Sequence, residues 1–241
     1  MGLIYITNYI YNVTFKLHSF IESAATWLDT VGINTGENSY FVSYWIDHMP
    51  IEKVIEYFAQ YIQLRDKEKN ELRKRMIEKH VKRRQFILQQ DDVCKYYSFV
   101  ISGCFKMFGV DDHGVEHNIQ FAAENDWIAD IGSFHSGKES KLYIEAIEPA
   151  VVLQIDKTNL VYLYHNYPKF DRIFRVMMEE KFIELQNRVL QNISSTADER
   201  YVDFLQQYPL LANRLPNTQI ASYLGITPEF LSKLRRINGR K

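Results

Sequence analysis

The most constraining feature of the sequence is a pair of short helical patterns joined by a glycine near the C-terminal end. The first pattern covers about residues 218–224 and stops at Gly225, and the second starts at Pro228 with Thr227 before it as a capping residue. Three positions suit a helix-turn-helix, which needs a small residue at the helix crossing, a glycine in the turn and an apolar residue that locks the second helix: Ala221, Gly225 and Leu231. The spacing therefore predicts a helix-turn-helix.

The second helix of this motif has two different faces. Phe230, Leu231 and Leu234 are expected to form its buried side. The residues expected at a nucleic acid are polar or cationic: Thr227, Glu229, Ser232, Lys233, Arg235 and Arg236. Because Lys and Arg neutralise phosphates, and side chains early in such a helix reach base edges in the major groove, we predict binding to double-stranded DNA. A plain helical hairpin with basic, solubilising residues is the alternative interpretation.

The middle of the chain is predicted to be a β domain. Short apolar and β-branched runs indicate strands at about residues 86–88, 96–101, 105–110, 118–122, 142–147 and 151–155. Turn-forming residues separate these runs at the spacing of a compact antiparallel barrel or jelly roll. The predicted fold class is α+β, in which this barrel is followed by a long helix and a C-terminal helical domain with the helix-turn-helix.

The long helix after the β domain carries a narrow apolar stripe. Its residues recur at steps of three and four: Phe174, Met178, Phe182, Leu185, Val189 and Ile193. The stripe could pack on the chain's own β domain, or it could pair with a second copy at a dimer axis. The narrow, coiled-coil-like seam favours the homodimer.

The first 48 residues differ from the rest, with five charged side chains, many aromatic residues and no clear period. Met49 and Pro50 are typical of a natural chain start, so we interpret residues 1–48 as an N-terminal extension without an assigned role. Between Arg65 and Arg84 there are ten Lys/Arg and four Asp/Glu, a run that is typical of a solvated helix face. The predicted domains are residues 49–168 for the barrel with its lead helix, 169–195 for the dimerisation helix and 196–241 for the helix-turn-helix domain.

Composition limits the possible functions. A net charge of only -1 means that a nucleic acid would be bound by a local basic patch, such as the end of the chain, where six Lys/Arg and one acid follow from Arg214 onward. Cys94 and Cys104 are too few for a disulfide framework, a thiolate zinc site or an iron-sulfur cluster, and we interpret them as small buried hydrophobes. Because neither a signal peptide nor a membrane span is recognisable, a cytoplasmic location is expected.

The order of these parts resembles the Crp/Fnr family of regulators. The resemblance covers about residues 50–236 and is carried by YSFVISG at 97–103, ENDWI at 124–128, KLYIEA at 141–146, ADERY at 197–201 and IASYLGITPE at 220–229. It implies that the barrel is a cyclic-nucleotide-binding-like domain, that the long helix is the dimer interface and that the second helix of the motif reads DNA. Only five residues follow Arg236, fewer than the β wing of many members requires.

The phosphate-binding positions depart from the family pattern. Members that bind cyclic nucleotides hold the phosphate with an Arg-Ser pair and a Gly-Glu pair, whereas the resemblance places Ser140-Lys141 and Ala129-Asp130 there. These four residues are the candidate effector pocket, but the bidentate arginine is missing, so cyclic AMP is not expected to bind. No cofactor is assigned. The expected partners are double-stranded DNA, a second copy of the chain, an unidentified small effector and RNA polymerase, with no membrane.

Two competing functions were weighed. A metal-dependent cupin-like enzyme would need an H-x-H pair with a downstream carboxylate ligand, and His113 and His117 do not form one. No phosphate loop, nucleophile elbow or H-E-x-x-H occurs, so no catalytic residue is assigned and the chain is not expected to be an enzyme. A sensor or scaffold whose helix-turn-helix does not bind DNA is the second alternative, and DNA retention separates it from a regulator.

Overall fold

The computed structural model describes residues 50–238, and the predicted N-terminal extension lies outside this range. From Lys53 onward the described residues belong to one compact unit. Within them, no helix combines the length and the apolar character that crossing a bilayer requires.

The elements alternate between helical ends and a β-rich middle. The strands are β1 (Ile77–Val81), β2 (Phe86–Leu88), β3 (Tyr96–Ser102), β4 (Phe105–Val110), β5 (Glu116–Ala122), β6 (Trp127–Ile128), β7 (Tyr143–Ala146) and β8 (Ala150–Asp156). The helices are α1 (Pro50–Ala59), α2 (Asp66–Arg75), α3 (Ile131–Ser136), α4 (Lys157–Asn166), α5 (Pro168–Ser194), α6 (Ala197–Gln207), α7 (Leu211–Arg214), α8 (Asn217–Leu224) and α9 (Pro228–Asn238). The predicted α+β class, with a β domain, a long helix and a helical C-terminal end, is confirmed.

The β domain consists of two four-stranded sheets, with strand orders β1-β8-β3-β6 and β2-β7-β4-β5. Every strand pair in them is antiparallel, as in a jelly roll. Each of the six predicted runs overlaps an observed strand, whereas β1 and the short β6 were not predicted. Strand β5 lies at an edge of its sheet, so one side of its backbone is left for partners other than strands.

The basic run between Arg65 and Arg84 is not one helix face, as the sequence had indicated. Helix α2 ends at Arg75, and β1 follows as an edge strand paired with β8. The sequence pattern missed β1 because Glu78, Lys79 and His80 interrupt its apolar residues. Charged side chains are common on edge strands, where they discourage pairing with other chains.

An aromatic cluster joins the start of the long helix to the β domain. Phe58 stacks on Trp127 with ring centroids 6.0 Å apart, and Phe174 of α5 meets these rings at 5.6 and 5.4 Å. Tyr97 and Phe99 complete the cluster, and all five side chains are at most 6% exposed. Aromatic groups of this size dominate the burial energy of a core, so they fix the first turns of α5 to the barrel.

Candidate nucleic-acid interface

The turn between α8 and α9 has the backbone geometry of a helix-turn-helix. Gly225 adopts a left-handed conformation with φ of 67°, which residues with a Cβ rarely adopt. The amide of Ile226 donates to the carbonyl of Ala221 at 3.0 Å, closing the end of α8 as in a Schellman motif. Ala221 is 1% exposed at the helix crossing, and Leu231 of α9 is fully buried. These contacts fix the angle at which α9 leaves the turn.

The outer face of α9 is polar and cationic. The amide of Phe230 donates to Thr227 Oγ1 at 3.2 Å, so Thr227 caps the helix. A hydrogen bond of its own backbone and one from Thr227 lower the pKa of Glu229. The other side chains of this face are exposed: Glu229, Ser232, Lys233 and Arg236. This face can accept and donate hydrogen bonds and can neutralise anionic groups.

Two residues of α9 differ from their sequence assignments. Phe230, expected on the buried side, is 42% exposed, whereas Leu231 and Leu234 are buried there as expected. Arg235, expected at the DNA, turns toward its own domain, where Nη2 donates to the carbonyl of Ala212 at 3.0 Å. Its Nε is buried without a partner. Arg235 therefore supports the packing of α9 rather than its outer face.

The helical domain packs on the barrel through a shared apolar cluster. Cys104 and Phe121 of the barrel lie in one buried cluster with residues of α6 to α9. The rings of Phe121 and Tyr223 have centroids 5.3 Å apart. Both cysteines of the chain are buried free thiols, as predicted, and burial raises the pKa of Cys104 to about 12. The orientation of the helix-turn-helix is thus set partly by the barrel.

The edge strand β5 completes its hydrogen bonding with the helix-turn-helix instead of another strand. The amide of Asn118 donates to Ser222 Oγ at 3.1 Å, and the Ser222 hydroxyl donates to the Glu116 carbonyl at 2.7 Å. Asn118 Nδ2 also donates to the carbonyl and the Oε1 of Gln219, at 3.0 and 2.9 Å. Polar groups on an open edge need partners, and α8 supplies them here.

Arg188 of the long helix connects the same two parts. Its guanidinium donates to the carbonyls of Ile119, of Asn118 at 3.1 Å and of Tyr223 at 3.4 Å. It also lies over the Tyr223 ring, 3.9 Å from the centroid. Three elements, α5, β5 and α8, therefore meet at one side chain. Helical periodicity does not reveal this role, because the carbonyls are up to 70 positions away in the sequence.

A second polar contact holds the helical domain from the side of α7. Arg214 donates to both carboxylate oxygens of Glu124, at 2.8 and 3.0 Å, and to Glu148. Partial burial alone would raise the pKa of Glu124, but hydrogen bonds from Arg214 and from the Gly103 amide lower it to about 2. Arg214, part of the predicted cationic end, thus binds the barrel and not an external anion.

Comparison with known proteins agrees with this architecture. Residues 78–167 match the cyclic nucleotide-binding domain family. The transcriptional activator protein Anr of Pseudomonas aeruginosa is 26% identical over an alignment of 171 residues, and the match covers 64% of this chain and 67% of Anr. The family match therefore spans the β domain and helix α4.

Solved structures share its fold at low sequence identity. FixK2 from Bradyrhizobium japonicum has a TM-score of 0.59 and 20% identity, over 68% of this chain and 86% of that one. The c-di-GMP-responsive regulator CLP of Xanthomonas campestris has a TM-score of 0.60 and 12% identity, over 73% and 92% of the two chains. A regulator from Eubacterium rectale assigned to the Crp/Fnr family has a TM-score of 0.59 and 18% identity, over 76% and 87%.

The candidate effector residues of the barrel do come together. Asp130 caps helix α3 by accepting from the Ser133 amide at 3.1 Å, and its other oxygen accepts from the Ser140 hydroxyl at 2.6 Å. Ser140 and Ala129 are buried, whereas Lys141 is exposed. A carboxylate and its hydroxyl partner therefore lie together among the residues that the family resemblance assigns to the effector pocket.

The long helix has one face toward its own chain and an opposite face that is apolar and open. Lys181, Glu184 and Arg188 bond to the barrel or to the helical domain. On the other side, six apolar residues are 51% to 80% exposed: Phe182, Ile183, Leu185, Val189, Leu190 and Ile193. Two residues of the predicted stripe differ, since Phe174 is buried in the chain's own core and Met178 is half-buried. The free part of the stripe therefore begins at Phe182.

Proposed function

We propose that this chain is a cytoplasmic transcription regulator that binds double-stranded DNA as a homodimer through α9. The observation that carries the proposal is the exposed polar and cationic face of α9, placed after a left-handed glycine turn and backed by buried Leu231. Lys233 and Arg236 would neutralise phosphates, while Glu229 and Ser232, nearer the start of α9, would reach base edges. A transcription regulator of this kind acts on RNA polymerase. This action is measured by transcription from a promoter to which the protein binds.

The apolar face of α5 supports the dimer. Six large apolar side chains lie open on one helix face, and a second copy of the same helix is complementary to them by symmetry. Burying a Leu or Val side chain contributes about 1.5–3 kcal/mol, so a paired helix of this kind can hold two chains together. Two recognition helices related by the dimer axis would read half-sites ~34 Å apart.

For the barrel we propose an effector other than cyclic AMP. The Asp130 carboxylate, held by Ser140 at 2.6 Å, would repel a cyclic phosphate, and the adjacent Lys141 is exposed. The residues present do not fit an anionic cyclic nucleotide. An effector that binds here would act by favouring one arrangement of the recognition helices.

Selection of bound fragments from a random DNA pool, with and without cyclic AMP, tests this function. We expect enrichment of a palindromic site of similar strength in both conditions. Enrichment only with cyclic AMP would contradict the proposed effector chemistry. If purified protein enriches no sequence in either condition, a sensor or scaffold without DNA activity replaces the regulator.

A further inference from the structure

Phe230 is a large aromatic side chain in the first turn of the recognition helix. It is 42% exposed, although its neighbour Leu231 is fully buried and Leu234 is 5% exposed. Its backbone is tied to the cap, since its amide donates to Thr227 Oγ1 at 3.2 Å. The capped start of α9 therefore fixes the backbone position from which the Phe230 ring extends.

The position of Phe230 on the helix places it beside the polar face. With about 100° between successive residues, Phe230 lies about 40° from Leu234 and about 60° from Lys233. It therefore stands at the border between the buried side and the face that carries Lys233 and Glu229. Of the apolar side chains between Pro228 and Arg236, it is the one that reaches this face.

The exposed part of the Phe230 ring is left uncovered by the described part of the chain. Apolar surface is stabilised only when another surface covers it and removes it from water. In the major groove, the apolar group that base pairs offer is the 5-methyl of thymine, and side chains near the start of a recognition helix are those that meet base edges.

We infer that Phe230 is a specificity residue that contacts the 5-methyl group of one thymine in each half-site. The inference rests on the proposed function, because it requires α9 to lie in the major groove. Glu229 and Ser232 supply hydrogen-bonding readout on one side of the helix, and Phe230 supplies apolar readout on the other. A preference for thymine over cytosine at one position of each half-site follows.

Uracil substitution tests this inference, because deoxyuridine pairs like thymidine but lacks the 5-methyl group. Each thymine of the selected site is replaced singly, and the Kd is measured with the wild-type protein and with Phe230→Ala. We expect one position per half-site at which uracil weakens wild-type binding about fourfold, equivalent to ~0.8 kcal/mol for one buried carbon. Phe230→Ala should bind thymine and uracil at that position equally, and Phe230→Leu should keep part of the difference.

The outcomes separate this inference from the function on which it rests. If the wild-type protein binds its site but no single uracil changes the Kd, the thymine contact is wrong and the regulator stands. The same conclusion follows if Phe230→Ala keeps the full uracil effect. If no DNA site is found at all, both the proposed function and the thymine contact are overturned. Circular dichroism and the oligomeric state of each variant confirm that it is folded.

Discussion

Replacement of Arg188 by Met should loosen the helix-turn-helix from the barrel while the barrel stays folded. Methionine keeps the aliphatic stem of the side chain but lacks the guanidinium, so it donates no hydrogen bond and loses the stacking on the Tyr223 ring. The carbonyls of Asn118, Ile119 and Tyr223 then lose their common donor.

The magnitude follows from the number and the burial of these bonds. Hydrogen bonds to a charged group contribute about 1.5–3 kcal/mol each, so the two better-formed ones amount to roughly 3–6 kcal/mol. The carbonyls that lose this donor lie on a partly buried strand edge that water can reach. Hydrogen bonds from water therefore recover part of the lost free energy. We expect a net loss of roughly 2–3 kcal/mol in docking free energy, or a roughly 30- to 150-fold larger undocked population.

Hydrogen exchange measured by peptide mass spectrometry detects this change directly. Amides of α8 and of the β5 edge should exchange faster in Arg188→Met, whereas those of β3 and β8 in the barrel interior should not change. Arg172→Met is the control, because Arg172 is exposed on the same helix. Unchanged protection of α8 would refute the role of Arg188, and an equal loss in β3 and β8 would show general destabilisation instead.

Three further outcomes follow from the structure. Val189→Glu should convert the dimer to monomer by light scattering without unfolding it, since Val189 is 51% exposed in the single chain, whereas Asn187→Glu should leave the dimer intact. Because the pKa of Glu124 is about 2, below its usual 4.5, its stabilisation is complete above pH 4.5 and is lost as the pH falls toward 2. The difference in melting temperature between wild type and Glu124→Gln should therefore shrink over that range, and a constant difference would contradict it. Cys104, 1% exposed with a pKa of about 12, should resist a thiol reagent at pH ~8 until the protein is denatured, and rapid labelling of the native protein would show otherwise.

Local sequence patterns predicted most of the elements because each pattern reflects a local cause. Six strands, all except β1 and the two-residue β6, match runs bounded by turn residues, and the turn at Gly225 follows from the freedom of glycine at positive φ. The charged edge strand β1 was not predicted, because its polar residues leave no alternation of apolar and polar positions.

The residues that join the barrel to the C-terminal helices could not be read from local patterns. Asn118 and Ser222 are 104 positions apart, and their contact depends on how the helical domain lies on the barrel. Arg235 and Phe230 were misplaced for a related reason: a helical pattern separates the two faces of α9, but the packing of neighbouring helices decides where the border between them falls.

Salt-dependent binding to the selected DNA site tests the central claim most directly. Fluorescence anisotropy would compare wild type, Lys233→Ala/Arg236→Ala, and the control Lys95→Ala/Arg172→Ala, which removes two exposed cations elsewhere. We predict that the α9 variant stays dimeric, loses most of its affinity, and has a slope of log K against log salt that is shallower by about 0.9 per lost phosphate contact. The control should match wild type. Equal affinity and slope in all three proteins would contradict the assignment of α9 as the DNA-binding helix.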